Sequence, residues 1–376
     1  MTDSAPLSVL YVRDHLQAAG GSTYLLDTLP RFDPIRVKPV LCVLGPLEPD
    51  HHPAVLDQLD VTFTDRAPGD WRRPVDLWRL ARRVRPDLVV LSGPRSMVQG
   101  GLLAALLGVP SLLHLNFVIE FSPAQVRLQR LLRRRGQHVI AVSEAVRRWA
   151  ADALALDAAA IERIYPVRDW HRHGDPAHGA RARLRHACAV PDGAIALLLV
   201  GRLLLAEKGQ DVMLHALRAL LRDRPDTVLL LAGDGPDRHR VVELAQALGV
   251  EHAVRLLGYR QDVPELLAAC DLLVVPSTCE EAFGLVALEA HAAGRPVIVS
   301  AAGGLTEIVS HGVNGCVVPR GDAPALANAI RRLLADPALV RRLVERGRID
   351  VERFGFDAHM TTLTDLFARV VARHGR

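Results

Sequence analysis

Leu272-Leu-Val-Val-Pro-Ser-Thr-Cys-Glu-Glu-Ala-Phe-Gly-Leu-Val-Ala-Leu-Glu289 runs from an apolar stretch, through a polar segment with Gly284, into a second apolar stretch closed by a carboxylate. Leu272 to Val275 is apolar at every position, which reads as a strand buried on both faces, as parallel sheets require. The glycine marks the bend from strand to helix. Glu281 then falls in the loop, and Glu289 one to two turns into a helix that begins near Phe283.

The same strand, bend and helix recur on either side. In the second half, strands are expected at Ile195 to Val200, Val228 to Ala232, Val254 to Leu257, Val297 to Ser300 and Gly315 to Val318. In the first half they are expected at Ser8 to Val12, Val37 to Val43, Leu88 to Leu91, Ser111 to His114 and Val139 to Val142, with helices such as Gly21 to Leu29 and Pro74 to Val84 between them. Apolar strands alternating with helices make a parallel sheet covered on both faces. The pattern breaks between about Tyr165 and Pro191, where Pro, His, Gly, Asp and Arg crowd together. The predicted organisation is an N-terminal Rossmann-like domain at 1–170, a linker at 171–193 with a short helix from Ala180, and a second Rossmann-like domain at 194–353. A closing helix at 354–376, with apolar residues at helical spacing, is free to pack back on the first domain.

Composition narrows the class. With 376 residues, 49% of them apolar, the chain can bury two cores. Aromatics make up only 4%, too few for a base-stacking platform, so a nucleic-acid partner is not expected. The formal charge of +4 suits anionic ligands without specifying one. Cys42, Cys188, Cys270, Cys279 and Cys316 are scattered and form no Cys-x-x-Cys pair, which fits a reducing, cytoplasmic setting. No basic leader precedes an apolar signal core, and the apolar runs fall short of the ~20 residues a membrane span needs. In the segment Pro123 to Gln137, leucines lie among arginines. It suits a packed helix with a solvated basic face, or a helix resting on the inner face of an anionic membrane, and peripheral membrane contact stays open.

Several loops carry polar residues where open α/β sheets bind ligands, beyond the carboxyl ends of strands. Gly201-Arg-Leu-Leu-Leu-Ala-Glu-Lys-Gly209 places Arg202 and Lys208 there, ahead of a helix whose N-terminus attracts anions. They read as phosphate ligands or as the charges of a solvated loop. Lys208 is one of only two lysines in an arginine-rich chain, which favours a point-charge phosphate contact. Gly233-Asp-Gly-Pro236 reads first as a backbone bend. Glu281 and Glu289 have the chemistry to accept paired hydroxyl hydrogen bonds, such as a ribose diol offers, and Gly284 leaves backbone N–H groups accessible. Glu307, after Gly303-Gly304, suits a ligand contact or a helix cap. Gly20-Gly21 is expected to be a flexible turn open to an acceptor or a phosphate. His114, at the end of its strand, is placed to orient or deprotonate a hydroxyl, although a lone histidine is more often structural. His171-Arg-His173 reads as solvated linker. No Asp-x-Asp motif or His–carboxylate set stands at metal spacing, so no metal and no resident cofactor is expected.

Taken in order, these motifs resemble the retaining glycosyltransferases of family 4. The resemblance runs from Val200-Gly-Arg202 and Glu207-Lys-Gly209 through Leu231-Ala-Gly-Asp-Gly-Pro236, Leu257-Gly258, Pro276-Ser277 and Glu281 to Glu289, ending at Gly303-Gly304. Gly20-Gly21, His114 and Val139-Ile-Ala-Val-Ser-Glu144 add a thinner match in the first half. The resemblance implies the GT-B architecture, α/β with two facing doubly wound Rossmann-like domains, and a nucleotide-diphosphate sugar as donor. It implies Arg202 and Lys208 on the donor diphosphate, Glu281 beside the donor sugar and Glu289 on the ribose. The backbone of Phe283, Gly284 and Leu285 would lie against the transferred sugar or phosphate, the loop after Gly258 against the base, and His114 at the acceptor. The acceptor would be a glycan, a lipid-linked molecule or a small molecule. One departure is Ile164-Tyr-Pro-Val-Arg-Asp169, where relatives often carry an Asn-Gly turn. A sugar-nucleotide epimerase of the same plan and a non-catalytic nucleotide-sugar-binding subunit are the competing readings.

Overall fold

The computed structural model describes residues 5–16, 20–45, 54–64, 66, 70, 72–168 and 180–375. The chain divides into two compact units, Met1–Arg168 with Phe356–Arg376, and Asp169–Gly355. Residues 171–179 of the predicted linker, including His171 and His173, lie outside the described residues, and the short helix expected from Ala180 is present as Ala180–Ala187.

The first unit is built on the strands β1 (Leu7–Arg13), β2 (Val37–Val43), β3 (Val61–Phe63), β4 (Leu88–Ser92), β5 (Ser111–Leu115), β6 (Gln137–Ala141) and β7 (Ile161–Arg163). They pair in parallel in the order β3-β2-β1-β4-β5-β6-β7. The second unit contains β8 (Ile195–Val200), β9 (Thr227–Ala232), β10 (Val254–Gly258), β11 (Leu272–Val275), β12 (Val297–Ser300) and β13 (Cys316–Val318). Its strands are also parallel, in the order β10-β9-β8-β11-β12-β13. Both sheets are doubly wound, as the alternation of strand and helix predicts. In each, the winding reverses beside the first strand, between β1 and β4 and between β8 and β11.

The second sheet shows why its strands read as unbroken apolar runs. Leu197 and Leu199 of β8 join Leu229, Leu231, Val274 and Ile298 in a core with Met213 and Leu217 of the helix Gln210–Leu220 and Leu326 and Ile330 of the helix Ala323–Ala335. The alternate residues Leu198, Leu230 and Leu273 are equally buried on the other face. A strand covered on both sides has no solvent face to signal with polar residues.

The final helix, Phe356–His374, belongs to the first unit. Leu363, Leu366, Phe367 and Val370 enter the core beneath β1 and β2, where Phe367 packs 6.4 Å from Tyr11 and 5.7 Å from Phe32. Ion pairs Arg36–Asp365 at 2.9 Å and Arg369–Glu162 at 2.8 Å line its exposed side.

Two sequence expectations change. Gly20 and Gly21 are not a turn: they open the helix Gly20–Thr28. First-turn N–H groups have no intrahelical acceptor, so glycine is tolerated at that end. The helix after β11 begins at Leu285 and not at Phe283, because Gly284 sits at φ 102, outside helical space. Among the described residues no helix is long and apolar enough to cross a membrane.

Candidate functional site

At the winding reversal of the second sheet, three loops lock together at the carboxyl ends of β8, β11 and β12. Gly209, with φ 65, lies so close to the second loop that a Cβ there would stand 2.0 Å from the Pro276 carbonyl oxygen. Thr278 seals this contact, its N–H donating to the Glu207 carbonyl and its hydroxyl to the Ala206 carbonyl, both at 2.9 Å. On the other side the Gly304 N–H donates to the Glu281 carbonyl at 2.8 Å, and a Cβ on Gly303 would stand 2.3 Å from that same oxygen. Only glycine permits these approaches. Gly233 extends the chain of contacts: a Cβ there would meet the Gly201 carbonyl at 2.0 Å, and its N–H donates to the Gly258 carbonyl at 2.7 Å. The backbone-bend reading of Gly233 is therefore correct, and the bend also ties Gly258, at the end of β10, to the loop after β8.

The loops bring Lys208 and Glu281 into direct contact as a hydrogen-bonded ion pair, with side chains 27% and 14% exposed. The fully buried Ser277 hydroxyl donates to the same carboxylate oxygen at 2.6 Å, while its own carbonyl accepts from Ser300 Oγ at 2.5 Å. Burial alone lowers the pKa of Lys208, but the Glu281 carboxylate and the hydrogen bond to it outweigh burial, so the net shift is upward and the ammonium stays charged. Arg202 is exposed in the loop after β8, and Gln210 Nε2 holds its carbonyl at 2.9 Å. Glu289 is buried, 8% exposed, in the second turn of the helix Leu285–Ala292. Phe283 turns its ring into the core, edge-on to Phe354 at 5.8 Å, which leaves its backbone for the contact that the family resemblance implies for Phe283, Gly284 and Leu285. Glu280, beside Glu281, pairs with Arg320 at 2.8 Å and is not drawn into the Lys208 contact.

The remaining predicted residues lie in the first unit. His114 lies within β5, which runs one residue further to Leu115, and it is buried rather than open: its ring stands edge-on to Tyr24 at 5.7 Å, and the Tyr24 hydroxyl meets His359 Nε2 at 2.9 Å. Burial, with the neighbouring His359 and Arg13, pushes the His114 pKa down to about 3, and burial pushes His359 down to about 4. So weak a base orients a hydroxyl better than it deprotonates one. Gly21 lies against Asn116 and Arg13. Sequence reasoning missed Ser277 as a partner of Glu281, and it missed Arg13, Asn116 and Arg95 altogether. A serine directly before the acidic loop was the one available signal, since the others come together only through sheet order.

Residues 8–172 match the family model described as Glycosyltransferase Family 4, and residues 181–350 match the model described as Glycosyl transferases group 1. An exopolysaccharide phosphotransferase from Streptomyces coelicolor is 38% identical over 177 residues, 47% of this chain and 19% of that protein. A D-inositol 3-phosphate glycosyltransferase from Salinispora arenicola is 35% identical over 239 residues, 60% of this chain and 53% of that protein. The match to these curated relatives thus spans about half the length of the one and a fifth of the other. Among solved structures, HepE from Anabaena in complex with UDP-glucose is 25% identical with a TM-score of 0.82, over 97% of this chain and 99% of that one.

Proposed function

The chain has the GT-B fold, its N-terminal half matching the family 4 model and its C-terminal half the group 1 model, and from that premise we propose that it transfers a sugar from a nucleotide-diphosphate donor to an acceptor hydroxyl. The observation that carries this reading is the Lys208–Glu281–Ser277 contact at the winding reversal of the second sheet, with Glu289 buried one helix turn beyond. Lys208 and Arg202 neutralise the leaving diphosphate. Glu281 faces the donor sugar, and Glu289 accepts from the ribose hydroxyls. The backbone of Phe283, Gly284 and Leu285 meets the transferred sugar or its phosphate, and the loop after Gly258 meets the base. The likeness to HepE, solved with UDP-glucose, makes a uridine nucleotide the first donor to test.

Transfer proceeds with retention of anomeric configuration and without a metal ion. The acceptor oxygen attacks the anomeric carbon from the face the diphosphate leaves. As the bond from that carbon to the diphosphate oxygen breaks, the acceptor proton passes to a diphosphate oxygen. The nucleoside diphosphate departs with that proton, and the cations of the loop after β8 hold the charge that develops on it. Preorganised charge of this kind is worth on the order of 10²-fold or more per contact. His114 and the start of the helix Gly20–Thr28 serve the acceptor side. Release of nucleoside diphosphate across a panel of nucleotide sugars tests the reading: turnover of one donor, lost in Lys208→Ala, supports it, whereas equal turnover in that variant sinks it. An interconverted nucleotide sugar, with no diphosphate released, would point to an epimerase.

A further inference from the structure

The helices Arg72–Val84, Pro94–Leu107 and Pro123–Arg133 lie side by side on one face of the first sheet. Of the nine large apolar side chains that stand exposed among the described residues, four belong to these helices: Trp78, Leu102, Leu106 and Leu131. Single exposed leucines are ordinary, but a cluster on one face is not. In Pro94–Leu107 the apolar residues Pro94, Val98, Leu102 and Leu106 recur at every fourth position along the outer side, and Leu106 is 74% exposed. The one charged residue of that helix, Arg95, reaches to His15 Nε2 at 3.4 Å.

The row continues onto the neighbouring helix. Gly101 lets the two approach closely, since a Cβ there would stand 2.6 Å from Leu132 Cδ1. Arg130 marks the far flank of Pro123–Arg133, its Nε donating at 3.3 Å to the Leu154 carbonyl at the end of the helix Glu144–Leu154. Ala124, Leu128 and Leu131 therefore lie on the near flank, toward Leu102, and Leu131 is 52% exposed.

The rim of this strip is basic. Neither Pro94–Leu107 nor Pro123–Arg133 contains an Asp or Glu, while Arg127 and, just past the end of the second helix, Arg134 and Arg135 are exposed. Asp76, on the helix that carries Trp78, is occupied by Arg66 at 2.9 Å and Arg79 at 3.5 Å. An apolar strip with a cationic edge suits an anionic bilayer: leucines and an indole settle at the interface while arginines reach up to the lipid phosphates. A second copy of the chain fits the strip poorly, because a two-fold interface would bring the same arginines face to face.

We propose that this face of the first unit docks the chain on an anionic lipid surface, with Leu102, Leu106 and Leu131 inserted and Arg127, Arg134 and Arg135 on the lipid phosphates. The surface stands on the first unit alone and does not depend on the sugar-transfer reading.

Co-sedimentation of the full chain with vesicles tests this. Vesicles of equal parts phosphatidylcholine and phosphatidylglycerol should bind it at least tenfold more tightly than phosphatidylcholine alone, and added salt should weaken the binding. Leu106→Ser combined with Leu131→Ser keeps every arginine; Arg127→Gln combined with Arg134→Gln and Arg135→Gln keeps every leucine. Each combination should lose at least tenfold in affinity, and because all five positions are exposed, both proteins should melt as wild type does. No binding to the mixed vesicles, equal binding to the two kinds, or wild-type binding by either variant overturns the surface. A dimer in sedimentation equilibrium that the paired serine substitutions dissolve overturns it too, since a second copy would then fill the face. Failure of nucleotide binding in the second unit would leave each of these outcomes unchanged.

Discussion

Lys208 is the residue on which the chemistry proposed for the second unit turns. Its charge is secured by Glu281 against the opposing effect of burial. Removing the acid but not its shape, in Glu281→Gln, takes away the main effect opposing burial and leaves only the weaker pull of Cys279 and Glu207, so the Lys208 pKa should fall relative to wild type. Nucleoside diphosphate affinity in that variant should then weaken with rising pH well before it does in wild type, whose raised pKa keeps the ammonium charged up to and beyond 10.5. Titrations from pH 7 to 10 check this, and parallel curves for the two proteins would refute it. Glu281→Ala should lower transfer by on the order of 10²-fold or more while largely sparing nucleoside diphosphate binding, and Glu289→Ala should weaken that binding. In the first unit, His114 and His359, with pKa values near 3 and 4, stay neutral in the fold while the unfolded chain protonates them below about 6.5. Their contribution is therefore full above pH 6.5 and is lost as pH falls, by roughly 2 kcal/mol for each imidazole between pH 6.5 and 5. His114→Gln should flatten the acid side of the melting-temperature profile; an unchanged slope would mean that the imidazole is not buried neutral. The sequence put His114 in its strand, one residue too near the end, and did not show its burial, because Tyr24 and His359 reach it from distant segments.

At the level of elements, the site is a joint between loops more than a feature of any one loop. Gly209→Ala would force a Cβ against the Pro276 carbonyl at positive φ, and should cost roughly 2 kcal/mol or more while weakening nucleotide binding. Denaturant unfolding and a nucleotide titration measure the two effects, and a variant with wild-type values in both would mean the loops are not coupled. Strands such as β8 and β11 were legible because burial on both faces removes every polar residue from them. The edge strands β3 and β7 were not: each spans only three residues, Val61–Phe63 and Ile161–Arg163, and β7 carries two charged side chains. The pairing of Lys208 with Glu281 was also hidden, since it needs β8 and β11 to be neighbours, a matter of sheet order that apolar pattern does not encode. The glycines at 20 and 21 misled in the opposite sense: glycine signals a turn, yet at a helix start it serves equally well.

On the scale of the molecule, two separate cores divide the chain, and the last helix returns to the first of them. Phe367→Ala should therefore destabilise the Met1–Arg168 unit by about 3–5 kcal/mol and leave the unfolding of Asp169–Gly355 in place. Hydrogen exchange resolved by segment would show loosened β1 and β2 with unchanged β8 and β11, and loosening of β8 instead would contradict the assignment of that helix. The division also separates the two halves of the proposed chemistry: Arg202, Lys208, Glu281 and Glu289, proposed for the donor, lie in one unit, and His114, proposed for the acceptor side, in the other. The central claim, that the loops after β8 and β11 hold the diphosphate of a sugar donor, is tested most directly by titrating uridine, guanosine, adenosine and thymidine diphosphates into wild type and Lys208→Ala. One of the four should bind wild type and bind Lys208→Ala at least tenfold more weakly; failure of all four to bind, or equal affinity for the two proteins, would contradict it.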